Sequence, residues 1–355
     1  MLKRAESAPA PADAHASGGV LPSAARSSAR RVRRVAAILA GVVVVLFIAR
    51  VMLGSPFVYV DELVRIFAGE TLPGLSFIVL EHRLPAATVG AMAGAALGLS
   101  GTVFQTLLRN PLASPDVIGV GYGAATAAVT GMLVFGLAGP LLSLVAFAGG
   151  LVVALFVYFM ADSGKHTGGR FILIGIGVAA MLQAVMNYLL TRTDVRAAGD
   201  ALHWLVGSLS TSTWERAGTM LVSLVVLVPL TALAVSKLQI LELGDDAASG
   251  LGLDVRRTRA GLVVLGVALS ACTIAVTGPI AFVAFLAGPL ARLLVGRTNF
   301  ACSALVGAVL VLAADFAGAN LFGDISLPAG VITGALGAPF LLWLLVRSNK
   351  QGMGG

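Results

Sequence analysis

Charged residues are scarce in this sequence. Asp, Glu, Lys and Arg make up 12% of its 355 residues, whereas 58% are hydrophobic, and the mean hydropathy is +0.95. A chain with so little polar surface cannot coat a water-soluble globule, and its apolar length far exceeds one transmembrane helix. The composition therefore excludes a soluble domain and predicts a polytopic membrane protein.

Residues that carry catalysis or bind metals are also few. The only cysteines, Cys272 and Cys302, stand singly in apolar runs, and the four histidines fall in loops or the N-terminal tail. Neither HExxH, nor cysteines at metal-ligand spacing, nor a GxxxxGK[ST] phosphate loop occurs. Gly98 to Gly101 superficially suggest an intramembrane serine protease around Ser100, but no histidine lies at membrane depth to act as its base. We predict no catalytic site, no metal site and no cofactor bound by this chain.

Long apolar runs dominate what remains. A bilayer core takes about 20 apolar residues per helix, and the runs lack the alternating pattern of barrel strands. We therefore predict an all-α membrane protein with about ten crossings. The runs are 35–53, 84–107, 117–136, 139–161, 170–191, 215–236, 260–277, 279–296, 300–320 and 329–347.

The two ends of the chain are predicted to face the cytoplasm. Residues 1–34 are rich in Ala, Pro, Ser and Arg, have no periodic apolar face and are expected to form a disordered basic tail. Residues 35–350 then form one transmembrane domain. Of the 24 Lys and Arg residues, all but six fall on the cytoplasmic side when the N-terminus is placed inside, as the positive-inside rule requires. The six are Arg50, Arg65, Arg83, Arg192, Arg196 and Arg216.

Several polar or glycine-rich stretches interrupt the apolar pattern. Asn110-Pro111 and Ser114-Pro115 predict a helix end and a cytoplasmic loop, because proline lacks a donor and restricts the preceding residue. Gln105, Gln183, Asn187 and Asp315 lie within or beside apolar runs, where polar residues either line a solute path or make interhelical contacts. Glycines at a four-residue spacing predict close helix packing, with direct substrate contact as the alternative: Gly90, Gly94 and Gly98.

A longer polar segment, residues 237–259, separates the runs 215–236 and 260–277. Asp245 and Asp246 are suited to the first turn of a short helix, where negative charge is favoured. Gly250 and Gly252 are suited to its end. From the residues alone, the segment is a solvated helical loop.

Five stretches in the same order carry a family resemblance. They are RLPAATVGAMAGAALGLSGTVFQTLLRNPLASPDVIGVGYG (83–123), WLVGSLS (204–210), LELGDDAASGLGLDVRRTR (241–259), GPIAFVAFLAGPLARLLVG (278–296) and LPAGVITGALGAPFLLWLL (327–345). Together they resemble the permease subunits of ferric-siderophore, heme and cobalamin ABC importers of bacterial cytoplasmic membranes. The resemblance implies a ten-helix subunit that pairs with a second permease. It also implies two cytoplasmic ATPase subunits, which hold ATP and Mg²⁺, and an extracytoplasmic substrate-binding protein.

The resemblance also assigns expected roles to residues. The cytoplasmic gate would be formed by Asn110, Leu112, Thr167, Gly168 and Gly169. The segment that seats in the ATPase would be formed by Leu243, Gly244, Asp245, Asp246, Ala247, Ala248, Gly250, Leu251 and Gly252. Arg83 would contact the binding protein.

Departures from the family pattern bear on the partner. Ala86 and Ala319 stand where relatives that dock a binding protein often have basic residues, and Pro289-Leu290 replaces a frequent Pro-His. These differences favour pairing with a paralogous permease, and the resemblance then favours a ferric siderophore as cargo. Cobalamin or heme uptake is the alternative within the family. A remote alternative is an ion-coupled carrier using Asp315.

Overall fold

The computed structural model describes residues 20–116, 118–161, 167–323 and 325–352, and every regular element in those ranges is helical. A π-helical segment, Ile78–Arg83, joins α3 to α4 without a break. The all-α prediction is confirmed. In chain order the α-helices are α1 (Val20–Met52), α2 (Val60–Phe67), α3 (Leu75–Phe77), α4 (Leu84–Leu107), α5 (Val120–Phe135), α6 (Gly139–Ala161), α7 (Thr167–Arg192), α8 (Val195–Leu205), α9 (Trp214–Leu241), α10 (Asp245–Gly250), α11 (Val255–Thr277), α12 (Val283–Val295), α13 (Phe300–Asn320) and α14 (Ala329–Gly352).

A helix is present at each of the ten apolar runs. Among the described residues, seven helices are long and apolar enough to cross a membrane. They contain the spans Ser28–Met52, Leu75–Leu107, Gly139–Ala161, Arg170–Arg192, Trp214–Leu241, Val255–Thr277 and Phe300–Asn320. Three further helices contain shorter apolar stretches, which are Val120–Phe135 (α5), Val283–Val295 (α12) and Ala329–Trp343, the first part of α14.

The first helix differs from its predicted start. α1 begins at Val20, so residues 20–34, which were expected to belong to the disordered tail, are helical. Alanine and arginine in this stretch favour helix strongly enough to extend the apolar helix backwards, and Pro22 falls within its first turn, where proline is tolerated. Residues 1–19 of the expected tail lie outside the described residues.

α4 lies at the centre of the bundle. In the span Leu75–Leu107, which contains α4, 78% of the most apolar stretch is buried inside the chain. α4 packs against α9, α11, α12 and α13. A Cβ added at Gly94 would lie 2.3 Å from the carbonyl oxygen of Gly307 on α13, and one at Gly98 would lie 2.2 Å from that of Ser303. A Cβ at Gly90 would meet the side chain of Leu209. Two of the three regularly spaced glycines, Gly94 and Gly98, therefore allow α4 to touch the backbone of α13.

A buried ion pair joins α1 to α13. The Nε of Arg50 donates to the carboxylate of Asp315, and both side chains are about nine-tenths buried. Each buried charge compensates the other, since an unpaired charge at this depth is strongly disfavoured. Asp315 is thus engaged in a tether between helices, which does not favour its use as an ion-coupling site.

The helix expected over 279–296 is shorter than predicted. α12 begins only at Val283, because Gly278 (φ +73°) and Phe282 (φ +65°) both adopt left-handed conformations. Gly278 is required here, since a Cβ would lie 2.4 Å from the carbonyl oxygen of Trp204. Non-helical backbone at membrane depth is tolerated where protein or a cavity surrounds it, and residues 279–282 line a cavity.

Candidate functional site

A cavity of about 810 Å³ lies beside this irregular stretch. Its walls come from the α4–α5 loop, α5, α7, the end of α8, residues 279–282, the start of α12 and α14, and most of the lining is apolar. The polar side chains include those of Asn110, Asp116 and Gln183. Of the polar residues singled out in the sequence, Gln183 thus faces the cavity, whereas Gln105 instead donates from its Nε2 to the carbonyl oxygen of Phe285 at 3.0 Å.

The α4–α5 loop, which lines this cavity, forms a compact turn. The N–H of Asn110 donates to the carbonyl oxygen of Gln105 at 3.1 Å, and its own carbonyl oxygen accepts from the N–H of Ala113 at 3.1 Å. Its side-chain Oδ1 accepts from the N–H of Leu112 at 2.9 Å. These bonds fix Asn110 and Leu112, the two predicted gate residues of this loop, at the cavity wall.

Asp116 is the ionisable residue of the loop that faces the cavity. Burial raises the pKa of its carboxyl to about 6, because removal from water disfavours the charged form. Its side chain nevertheless retains some accessible surface, which lies in the cavity. No local pattern reveals this shift, because the residues that line the cavity with Asp116 come from distant parts of the chain.

The second predicted gate segment is helical. Thr167, Gly168 and Gly169 form the first turn of α7 and not a loop before it. Residues 162–166, which precede them, lie outside the described residues. Ile172, one turn further along α7, lines the cavity, so this helix start lies close to the cavity.

The polar segment after α9 folds as expected from its charges. α10 carries Asp245 and Asp246 in its first turn, and the carboxylate of Asp245 accepts from Arg259 on α11 at 2.9 Å. Glycines with positive φ flank the helix at Gly244 (+115°) and Gly252 (+81°). The predicted boundaries of the short helix therefore agree with the structure.

The two sides of α10 differ in exposure. Ala248 is fully buried in a cluster that also contains Leu107 and Leu241. Leu243 and Leu251, at either side of the helix, are 66% and 67% exposed. α10 is thus anchored on one face and has an exposed leucine near each of its ends.

One contact joins the cavity loop to this segment. The Nη2 of Arg109 donates to the carbonyl oxygen of Leu241, the last residue of α9. Arg109 and Leu241 are 132 positions apart in sequence, so no local pattern reveals their contact. The bond shows that the α4–α5 loop and the α9–α10 connection lie at the same end of the bundle.

Arg83, the expected docking residue, is not on the surface. It is only 5% exposed and donates to the carbonyl oxygens of Val51, Met52 and Pro56 at 3.1, 3.3 and 2.7 Å. These bonds satisfy carbonyls at the end of α1, which explains the burial. Ala86 is also fully buried, so its lack of charge does not alter the protein surface.

No group of three or more His, Cys, Asp or Glu residues suited to hold a metal ion occurs among the described residues. Ser100 is fully buried, and its hydroxyl donates to the carbonyl oxygen of Gly266. Such a hydroxyl serves interhelical packing and is not exposed to a substrate. Within the described chain, the cavity, the α4–α5 loop that lines it and the segment around α10 are thus the main candidate functional features.

Comparisons with known proteins give a consistent result. The model of the FecCD transport family matches residues 42–347. The chain is 38% identical over 295 residues to the ferric enterobactin transport system permease protein FepG of Escherichia coli (strain K12), which covers 82% of this chain and 89% of the relative. It is 35% identical over 324 residues to the probable siderophore transport system permease protein YfhA of Bacillus subtilis (strain 168), covering 88% and 94%.

A solved structure supports the same grouping. A metal-chelate type ABC transporter in an inward-facing conformation superposes with a TM-score of 0.78 at 26% sequence identity. The superposition covers 89% of this chain and 99% of the other. The similarity thus extends over nearly the whole of the other chain.

Proposed function

The chain belongs to the FecCD transport family, and from that membership we propose that it forms half of the translocation path of an ATP-driven importer for a ferric siderophore. It is a permease subunit in a bacterial cytoplasmic membrane and is not itself an enzyme. The names of its relatives favour siderophores among the possible cargoes.

The cavity is the observation that carries this proposal. Its volume of about 810 Å³ falls within the range of roughly 300–1,000 Å³ that sites for drug-sized molecules occupy. Its mostly apolar wall offers few strong bonds, which suits a path from which cargo must leave again. Asn110 and Leu112 lie where the path would be closed towards the cytoplasm.

A ten-crossing topology with both ends in the cytoplasm fits the helices. The seven long apolar helices and the three further apolar helices α5, α12 and α14 together account for all ten apolar runs. The two shortest, α5 and α12, both border the cavity, where backbone outside a full-length helix is tolerated at membrane depth. The excess of Lys and Arg in the predicted cytoplasmic loops supports the orientation.

The remaining subunits supply what this chain lacks. Two ATPase subunits would bind ATP and Mg²⁺ and seat the segment 243–252. The exposed Leu243 and Leu251 would be buried in the ATPase, while the buried Ala248 anchors α10 to the bundle. A small movement of α10 would then reach the gate at Asn110, Leu112 and the start of α7, since packed helices shift as units.

A second permease would complete the path. We propose a paralogue in this role. Ala86 is buried and does not bear on the choice of partner. Ala319, near the end of α13, remains as a partly exposed position without charge. A substrate-binding protein would dock on the extracytoplasmic side of the subunit. Arg83 would contribute to this docking only by holding the end of α1 in place.

Uptake into proteoliposomes tests the proposed function. The chain is reconstituted with a second permease, the ATPase and a binding protein from the same genome, and uptake of ⁵⁵Fe-siderophore, heme and cobalamin is measured. We expect ATP-dependent iron uptake that persists when the proton gradient is dissipated. Uptake that ignores ATP and collapses with the gradient would contradict the importer, and transport of heme or cobalamin alone would reassign the cargo.

A matched pair of leucines tests the role of the segment 243–252. Leu251→Asp places a charge on the proposed ATPase contact, whereas Leu321→Asp changes an equally exposed leucine just after α13. We expect the first to reduce copurification of the ATPase and uptake by about tenfold or more, because an unpaired charge would be buried at an interface. Equal behaviour of the two variants would refute this docking assignment.

A further inference from the structure

The C-terminal end of α9 is stabilised from another part of the chain. The last carbonyl groups of a helix have no intrahelical partners, and cations are favoured beside them. α9 has no basic residue in its last turn. Its final carbonyl, that of Leu241, accepts from the N–H of Gly244 at 3.2 Å and from the guanidinium of Arg109.

The backbone of Arg109 is held in an uncommon conformation. Its φ is +49°, which lies in the left-handed region that residues other than glycine rarely adopt. The next residue is Asn110, whose side chain and backbone form the turn at the cavity wall. Arg109 therefore lies between the turn that bears Asn110 and Leu112 and the helix end that leads into α10.

The surrounding contacts hold the two segments against a common core. Leu107, the last residue of α4, and Ala113, within the loop, belong to the same buried cluster as Leu241 and Ala248. Apolar contacts of this kind keep segments together but have no direction. The hydrogen bond of Arg109 is directional and charge-assisted, so it fixes the orientation of one segment relative to the other.

We propose that Arg109 is a positioning residue that links α10 to the cytoplasmic gate. When the ATPase displaces α10 and the end of α9, the bond to Leu241 draws the α4–α5 loop with it and moves Asn110 and Leu112 at the cavity wall. This inference rests on the proposed function and adds to it the contact by which the movement reaches the gate.

A second arginine at the same end provides a comparison. Arg292 on α12 donates to the side-chain oxygen of Gln105 at 3.3 Å, and the backbone oxygen of Gln105 accepts from Asn110. This contact braces the end of α4 against α12, and Arg292 also interacts electrostatically with Glu242, the residue after α9, without a hydrogen bond to the α9 terminus. Proximity of two segments does not by itself show that they are coupled. ATP hydrolysis, uptake and gate movement must therefore be measured separately.

The test uses the assembled importer in proteoliposomes. Arg109→Gln removes the charge, Arg109→Lys retains it, and Arg297→Gln is a control at an exposed arginine between α12 and α13. ATP hydrolysis, uptake per ATP and maleimide labelling of a Leu112→Cys site are measured, with and without trapped nucleotide. The native cysteines are both buried, which limits background labelling.

We expect Arg109→Gln to keep hydrolysis within about twofold of wild type while uptake per ATP falls by about fivefold or more. Labelling at Leu112→Cys should then no longer respond to nucleotide. Arg109→Lys should recover at least part of both signals, because an ammonium can still donate to the carbonyl oxygen of Leu241. Arg297→Gln should match wild type.

Two outcomes would overturn the inference. One is wild-type uptake per ATP in Arg109→Gln, and the other is an equal loss of hydrolysis and uptake, which would indicate a purely structural role. If Arg109→Gln does not assemble, the Arg109→Lys variant decides. Wild-type uptake per ATP together with wild-type labelling in this variant supports coupling retained through the cation. Loss of hydrolysis in this variant contradicts the inference. Failure of the wild-type complex to import with ATP would instead refute the proposed function.

Discussion

α4 and α7 are both long apolar helices, but they are embedded in the chain to very different extents. In the most apolar stretch of each span, 78% is buried inside the chain for the span that contains α4 and 17% for α7. Gly94 and Gly98 of α4 touch the backbone of α13, whereas a Cβ added at Gly177 of α7 would meet nothing within 4 Å. Apolar composition alone therefore does not tell which helices pack deeply inside the chain.

The physical reason is that lipid tails are as apolar as leucine side chains. Helices in a membrane gain little from hiding apolar surface, and tight association depends on close packing and polar contacts. The α4–α13 region has both, through the glycine contacts and the pair Arg50–Asp315 on α1 and α13. We interpret it as the fixed scaffold, and α7 with the α4–α5 loop as the movable wall of the cavity.

The largest expected effect concerns the ion pair of the scaffold. Asp315→Asn leaves the guanidinium of Arg50 buried without a counter-charge and should destabilise the protein by about 3–5 kcal/mol. Thermal unfolding in detergent measures the change. The double variant Arg50→Leu/Asp315→Leu should recover most of the loss, and a single variant as stable as wild type would show that the pair does not hold the scaffold.

A smaller effect distinguishes the two kinds of glycine. Gly94→Ala places a methyl group 2.3 Å from the backbone oxygen of Gly307, which forces α4 and α13 apart and should cost about 1–3 kcal/mol. Gly177→Ala, with open space around it, should be neutral or stabilising by up to about 1 kcal/mol because alanine favours helix. Equal destabilisation by both changes would contradict the division into scaffold and wall.

The smallest expected effect is pH-dependent and lies at the cavity. The pKa of Asp116 in the folded protein is about 6, above its ordinary value of 3.8, so wild type loses stability as pH rises between these values. The Asp116→Asn variant has no carboxyl to ionise and should therefore be more stable than wild type by about 1 kcal/mol above pH 6. This difference in stability is smaller than a fully buried carboxyl would give, because the carboxyl of Asp116 faces the cavity. Unfolding temperatures of both proteins between pH 4 and pH 8 measure the difference, which should vanish near pH 4.

Local sequence patterns predicted the helices well where apolar length decides. The runs 84–107, 139–161 and 300–320 coincide with α4, α6 and α13. The start of α12 was predicted too early, because the helix begins only after Gly278 and Phe282, which both have a positive φ. The prolines and glycines of that stretch marked it as irregular without locating the break.

The site was predictable only in part, because its contacts join distant segments. The spacing of Gly90, Gly94 and Gly98 indicated a packing face but not that Gly307 lies opposite. Arg83 was expected at the surface because the sequence does not show that three carbonyl groups near the end of α1 surround it. The bond between Arg109 and Leu241 was missed for the same reason.

The most direct test of the account follows the gate itself during the ATP cycle. In the assembled importer, Leu112→Cys lies at the cavity wall and Leu321→Cys lies just after α13 of the scaffold, and both are labelled with a water-soluble maleimide from their accessible sides. We predict that trapping the nucleotide-bound state changes the labelling rate at Leu112→Cys by about tenfold, as expected for a two-state movement, and leaves Leu321→Cys unchanged. Constant labelling at Leu112→Cys throughout the cycle would contradict the account.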